Sequence, residues 1–120
     1  MCHQTVSLVA RRLEEAGIAT VVVGSARDIV EEAGVPRFVF VDFPLGNSCG
    51  APGDRAMQRD IVSLAIEVVA SSIAPRTTVQ APQRWGSDDW REAFMAIGDH
   101  NRDALRAAGE RRRAHQAAAR

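Results

Sequence analysis

Apolar residues first recur at helical spacing. From about Gln4 to Ala16, the residues Val6, Val9, Ala10 and Leu13 follow an i, i+3, i+4, i+7 stripe. Arg11, Arg12, Glu14 and Glu15 lie off that stripe, and Gly17 is placed to end the helix in a left-handed conformation. The period then changes. Ile18 to Val23 is a β-branched apolar run without alternation, which suits a strand covered on both faces of a parallel sheet. Ser25 has the side chain of a helix N-cap, with Asp28 three residues on; Ile29, Val30 and Ala33 make the next stripe, and Gly34 stops it before Pro36. A second buried strand is expected over Arg37 to Asp42. A Gly/Pro loop from Phe43 to Asp54 separates it from a helix running from Arg55 to about Ile73. Met57, Ile61, Leu64, Ala65 and Val68 form its stripe, and Ile66 and Val69 widen it, so this helix is expected to be largely covered.

The order helix, strand, helix, strand, loop, helix predicts an open three-layer α/β fold around a parallel sheet, a Rossmann or flavodoxin-like half with right-handed crossovers. Ligands of such sheets gather beyond the carboxyl ends of the strands. Two strands alone make a marginal sheet. Either Thr77 to Gln80 adds a third, or a strand ahead of Cys2 is missing from this chain, or a partner lends one; the pattern favours the last two. The α/β domain is therefore expected over residues 1–75. An extended segment and short helix over 76–98 would pack on it, with Trp90, Phe94 and Ile97 on one face. Residues 99–120 read as an Ala/Arg-rich tail in which Leu105 is the one large aliphatic residue, a solvated helix.

Composition narrows the class. The chain has 120 residues, with 15 basic and 15 acidic side chains and zero formal charge, so it lacks the basic excess that a nucleic-acid or membrane-surface binder needs. Every basic residue of the Lys and Arg class is Arg, and Tyr is absent, from which no chemistry follows. No apolar run approaches the length of a membrane span, and no leader pattern opens the chain. Two cysteines are too few for a disulfide scaffold and are not spaced as a zinc site. A cytoplasmic protein is expected, without metal or cofactor.

The candidate chemistry begins at Cys2. It stands just before a helix whose free N–H groups and dipole favour an anion, the setting of a reactive thiolate. Thr5, three residues on, is placed for its hydroxyl to donate to the sulfur. Cys49 lies in the loop after the second strand, at the same end of the sheet, as a resolving partner, a second nucleophile or a small buried loop residue. Within that loop Pro44-Leu45-Gly46-Asn47 followed by Ser48 offers close backbone approach at Gly46 and side-chain hydrogen bonds at Asn47 and Ser48; it reads either as a binding segment or as a structural turn. It is not a phosphate-binding Walker loop. His3 is expected to be exposed, because neighbouring helix residues point in different directions, although a base for Cys2 is the other reading. His100 and His115 have polar surroundings, Asp88, Asp89 and Asp99 read as caps, and Arg111 to Arg113 as a solvated face.

Several fragments in order carry a resemblance. A cysteine at the head of a helix, then Glu14 to Val21, Gly34 to Val41, Phe43 to Asn47, and a Pro-Gly-Asp with Gln58 shortly after, resemble the selenoprotein B family of glycine, sarcosine and betaine reductase together with D-proline reductase. The likeness covers about residues 2–75. It implies reductive C–N bond cleavage of a small amino-acid-like or N-methylated amine substrate, with a thiol or selenol partner taking up the product. Cys2 falls where that family carries a redox-active selenocysteine, or a cysteine in its non-seleno relatives, and would attack the substrate α-carbon. Pro44 to Asn47 would shape the pocket beside it, and a reductase partner subunit or a homo-oligomer is implied. Three features depart from the family: selenium is absent, the chain is short ahead of the redox residue, and Cys49 replaces an apolar loop residue. Two other readings stand beside this one: a binding or assembly module that works through a partner chain, and a general thiol-disulfide exchanger using Cys2 and Cys49.

Overall fold

The structure is a computed structural model that describes residues 2–93, 98–99 and 101–118. Three strands, β1 (Val22–Gly24), β2 (Arg37–Phe40) and β3 (Thr77–Gln80), run parallel in the order β1-β2-β3. Val23 pairs with Val39, and Val39 in turn with Val79. Helix α1 (Cys2–Glu15) precedes β1, α2 (Arg27–Ala33) joins β1 to β2, and α3 (Arg55–Ser71) joins β2 to β3. Helices cover both faces, so the chain has the expected open α/β fold.

Alternation along β2 sorts the two faces. Val39 and Val41 pack with Phe43, Ile61, Ala65, Val68 and Ala81 beneath α3. Phe38 packs on the other side with Ala10 of α1, Val22 of β1, Val30 of α2 and Val35. Full burial of Ile61 alone contributes about 1.5–3 kcal/mol. Because α2 and α3 cover opposite faces while the strands are added in one direction, the two crossovers have opposite hands. Right-handed geometry was expected of both; one is the uncommon left-handed kind.

The third strand comes from Thr77–Gln80, not from the two sources that the sequence pattern favoured. Thr77, Thr78 and Val79 are only partly buried and Gln80 is exposed, as suits a strand paired on one side only, and Thr-Thr-Val-Gln carries little hydropathy to announce it. Backbone bonds tie it in at both ends, from Thr77 N–H to the Pro36 carbonyl at 3.0 Å and from Ala81 N–H to the Phe40 carbonyl at 2.9 Å.

Of the stripe expected on helix α1, Ala10 is buried as expected, but Val6, Val9 and Leu13 are turned outward. His3, Ser7 and Ala10 are buried, whereas Val9 remains 51% and Val6 45% exposed. Small residues at Ser7 and Ala10 face the sheet, and Ser7 Oγ donates back to the His3 carbonyl at 2.7 Å. The helix ends as expected: Gly17 is left-handed at φ 82°, and the N–H groups of Gly17 and Ile18 bond to the carbonyls of Glu14 and Leu13 at 3.0 Å, a Schellman closure. Glu14 then gathers the next turn. Its carboxylate accepts from the Thr20 N–H, from Thr20 Oγ1 at 2.9 Å and from Arg37 Nη1 at 2.8 Å, joining α1, the following loop and the start of β2.

On α3 the stripe is observed at Ile61, Ala65 and Val68, and Asp54 caps the helix by accepting from the Met57 N–H at 3.0 Å. Ile66, expected to widen the covered face, is 65% exposed. The chain divides into two compact units, Met1–Asp88 and Asp89–Arg120. The second holds α4 (Asp89–Ala93) and α5 (Arg102–Ala118). None of the α5 residues is buried, and exposed pairs, Arg102 with Asp99 at 3.1 Å and Arg106 with Glu110 at 3.6 Å, accompany it. Phe94, Ile97 and His100 lie outside the described residues. Among the described residues no helix is long and apolar enough to cross a membrane.

Candidate functional site

The carboxyl end of β1 meets the amino end of α1. Gly24, the last residue of β1, has no side chain, and the His3 imidazole occupies the space: a Cβ there would stand 2.8 Å from His3 Cδ2 and 3.0 Å from Nε2. The ring is buried, contrary to the exposed position expected for it. Its Nε2 accepts from the backbone N–H of Ser25 at 3.1 Å and of Ala26 at 3.3 Å. The start of α2 is thus capped by a side chain from 22 residues earlier, and its partly positive end is matched by a lone pair. Ser25, expected as the cap, makes no side-chain capping bond; its Oγ is buried without a partner.

Cys2 occupies the first position of α1, exposed, with Sγ 3.6 Å from His3 Nδ1. Adjacent residues meet here because the His3 ring leans over Gly24 at the helix start, where no preceding turn lies in the way. A His3 ring beside Cys2 was the second of the two readings of the sequence; the bonds from Ser25 and Ala26 that bury the ring there were not foreseen, because long-range capping leaves no local pattern.

The segment after β2 is a pair of linked turns. Asn47 N–H bonds to the Pro44 carbonyl at 3.1 Å and Gly50 N–H to the Asn47 carbonyl at 3.0 Å. Gly46 at φ 92° holds the third position of the first turn, the geometry a type II turn requires. Gly50, at φ 105°, packs so closely that a Cβ would lie 3.1 Å from the Met57 side chain, and Gln58 Nε2 bonds to the Ala51 carbonyl at 3.0 Å. The loop is therefore held against α3. Pro44, Asn47 and Ser48 are half-buried, and Gly46 and Cys49 are exposed. Cys2 and Cys49 are both free thiols, and Thr5 is exposed on α1.

Arg27, in the first turn of α2, lies over the Phe40 ring with 5.8 Å from Cζ to its centroid, and pairs with Glu31 at 2.9 Å. A cavity of about 190 Å³ opens at the opposite, amino end of the sheet, lined by Glu31, Val35, Phe38, Arg76 and Thr78, and includes none of the expected site residues. Among the described residues no group of three or more His, Cys, Asp or Glu could hold a metal ion.

The chain is similar to D-proline reductase subunit gamma of Acetoanaerobium sticklandii, with 35% identity over 60 residues. The match takes in 50% of this chain and 25% of that protein, so the chain spans about a quarter of its relative's length. No family model matches the chain, and no solved structure matches it. The likeness supports a relation to the proline and glycine reductases.

Proposed function

We propose that the chain is a component of a reductase that cleaves a C–N bond of a small amino-acid-like or N-methylated amine substrate, with Cys2 as the attacking thiolate. On this reading Cys2 takes the place that a selenocysteine holds in selenoprotein B relatives. The observation that carries it is the exposed Cys2 sulfur in the first turn of α1, beside the His3 ring and at the carboxyl end of a parallel sheet. The named relative, a subunit of D-proline reductase, agrees with it.

The chemistry balances with a second thiol. The Cys2 thiolate displaces the substrate nitrogen at the α-carbon, so a C–S bond forms as the C–N bond breaks and the amine leaves with its electron pair. A second thiol then attacks the Cys2 sulfur; the carbon departs with the C–S electron pair and takes a proton. Both sulfurs end as a disulfide, which an external dithiol reduces. Cys49 is the second thiol this chain offers, and a partner subunit is the other source. The turn formed by Pro44, Gly46, Asn47 and Ser48 lines the substrate side, and Thr5 faces the same helix end as Cys2. A cytoplasmic, reducing compartment suits such a cycle.

The test is incubation of the chain with D-proline, or with an N-methylated glycine, and dithiothreitol, followed by mass spectrometry. An adduct on Cys2 is expected, of the full substrate mass with D-proline, whose ring opens and keeps its nitrogen, and of the substrate less its amine with the N-methylated glycine; the adduct and the ring-opened or deaminated product both vanish in Cys2→Ser. Absence of adduct and product, with and without the partner subunits of a reductase, overturns the proposal. That outcome would favour an assembly role, to which the exposed Val6 and Val9 of α1 lend a surface.

A further inference from the structure

We infer that His3 is a positioning residue for the Cys2 thiolate, held by the amino end of α2 in the tautomer whose Nδ1–H donates to the sulfur. The inference rests on the reading of Cys2 as the nucleophile and names what prepares it. Two backbone N–H groups, from Ser25 and Ala26, point at Nε2. A backbone N–H can only donate, so Nε2 must be the ring's lone-pair nitrogen, and in the neutral ring the proton sits on Nδ1. That nitrogen lies 3.6 Å from Cys2 Sγ, within reach for a bond to sulfur.

The consequence runs against the usual pairing of a histidine with a cysteine, in which the ring takes the thiol proton. Here Nδ1 already carries its proton, so His3 acts as a donor to the thiolate and not as a base. The donors that fix the tautomer are main-chain groups, which do not titrate. The ring is 8% exposed and fills the space over Gly24, so its orientation is set by packing as well as by hydrogen bonds. The charged side chains of the first turn of α2 are Arg27, paired with Glu31, and Asp28. The sulfur thus receives two favourable influences: the Nδ1–H and the partly positive amino end of α1.

Two substitutions separate the roles of the ring. His3→Gln keeps an oxygen where Nε2 stood, so the start of α2 retains an acceptor, but it brings no donor to the sulfur. His3→Asn brings an amide N–H to the place of Nδ1 and loses the acceptor. Iodoacetamide labelling of Cys2, read on its own peptide by mass spectrometry, is compared at pH 7 and pH 10 in the full chain and in the same chain in urea. At pH 7 the folded wild type is expected to label faster than the chain in urea. His3→Gln is expected to label roughly three- to tenfold more slowly than wild type at pH 7, the size of one charge-assisted hydrogen bond at an open site, and not more slowly at pH 10. His3→Asn is expected to restore the rate at pH 7. If the wild type outpaces the chain in urea but His3→Gln labels as fast as the wild type, the role of His3 is overturned and the thiolate reading stands. If the folded wild type labels no faster than the chain in urea, the thiolate reading itself falls. Should His3→Gln fail to fold, His3→Asn decides, since a threefold loss at pH 7 in that variant overturns the donor role.

Discussion

At Gly24 the space that a methyl group would fill already belongs to the His3 ring, 2.8 Å away at Cδ2. Gly24 shows no left-handed φ, so its need for glycine comes from close approach and not from backbone conformation. Gly24→Ala is accordingly expected to push the imidazole off the end of β1 and to leave the Ser25 and Ala26 N–H groups without their acceptor. A cost of about 1–3 kcal/mol follows from overpacking together with the lost cap, seen as a lowered midpoint of thermal or urea unfolding. An unchanged midpoint would mean that the ring does not pack there. Nothing in the local sequence marks this glycine. The strand run Ile18 to Val23 stops one residue short of it, and its partner lies 21 residues upstream.

At the scale of elements, Glu14 is the side chain that fastens α1 to β2. Burial pushes its carboxyl up, but the hydrogen bonds from Thr20 and the charge of Arg37 outweigh burial and hold it below the ordinary carboxylate value. A carboxylate with a depressed folded value stabilises the fold above its unfolded value, and that contribution is lost as the pH falls through the folded value. Glu14→Gln is therefore expected to lower stability at pH 7 by about 1–2 kcal/mol. The difference from wild type should shrink below about pH 4.5, measured as urea midpoints from pH 7 down to pH 3; a gap independent of pH would contradict it. The elements themselves were legible unevenly, and for physical reasons. Helix α3 was legible because Ile61, Ala65 and Val68 repeat at helical spacing and do face the core. Helix α1 was legible as a helix, and Ala10 as a core residue, but its orientation was not, because Val6, Val9 and Leu13 outweigh His3 and Ser7 in hydropathy while the small residues Ser7 and Ala10 allow the closer approach. Strand β3 was legible only as one alternative, since half-buried threonines resemble a loop. Of the site, Cys2 at a helix start and the glycine turn at Gly46 could be read from neighbours in sequence. The cap from His3 to Ser25 could not, because it joins residues that only the fold brings together.

For the whole molecule the question is what the second unit contributes to the first. The sheet, both apolar clusters, the Glu14 clamp, Cys2 and the Pro44 to Ser48 turn all belong to Met1–Asp88. Helix α5 buries no residue, and Leu105 is 49% exposed. A chain of 88 residues with two apolar clusters is within the size range that folds without a staple. Removal of residues 89–120 is therefore expected to leave urea unfolding cooperative, with a midpoint within about 0.5 kcal/mol of the full chain, the scale of changes at exposed positions. The Cys2 labelling rate at pH 7 should be unaltered as well, because the groups that bond the His3 ring, Cys2 Sγ and the Ser25 and Ala26 N–H groups, belong to the first unit. A loss of more than about 2 kcal/mol on truncation would mean that the first unit depends on the second for its stability. A change in labelling rate without a change in stability would instead place part of the second unit at the thiol.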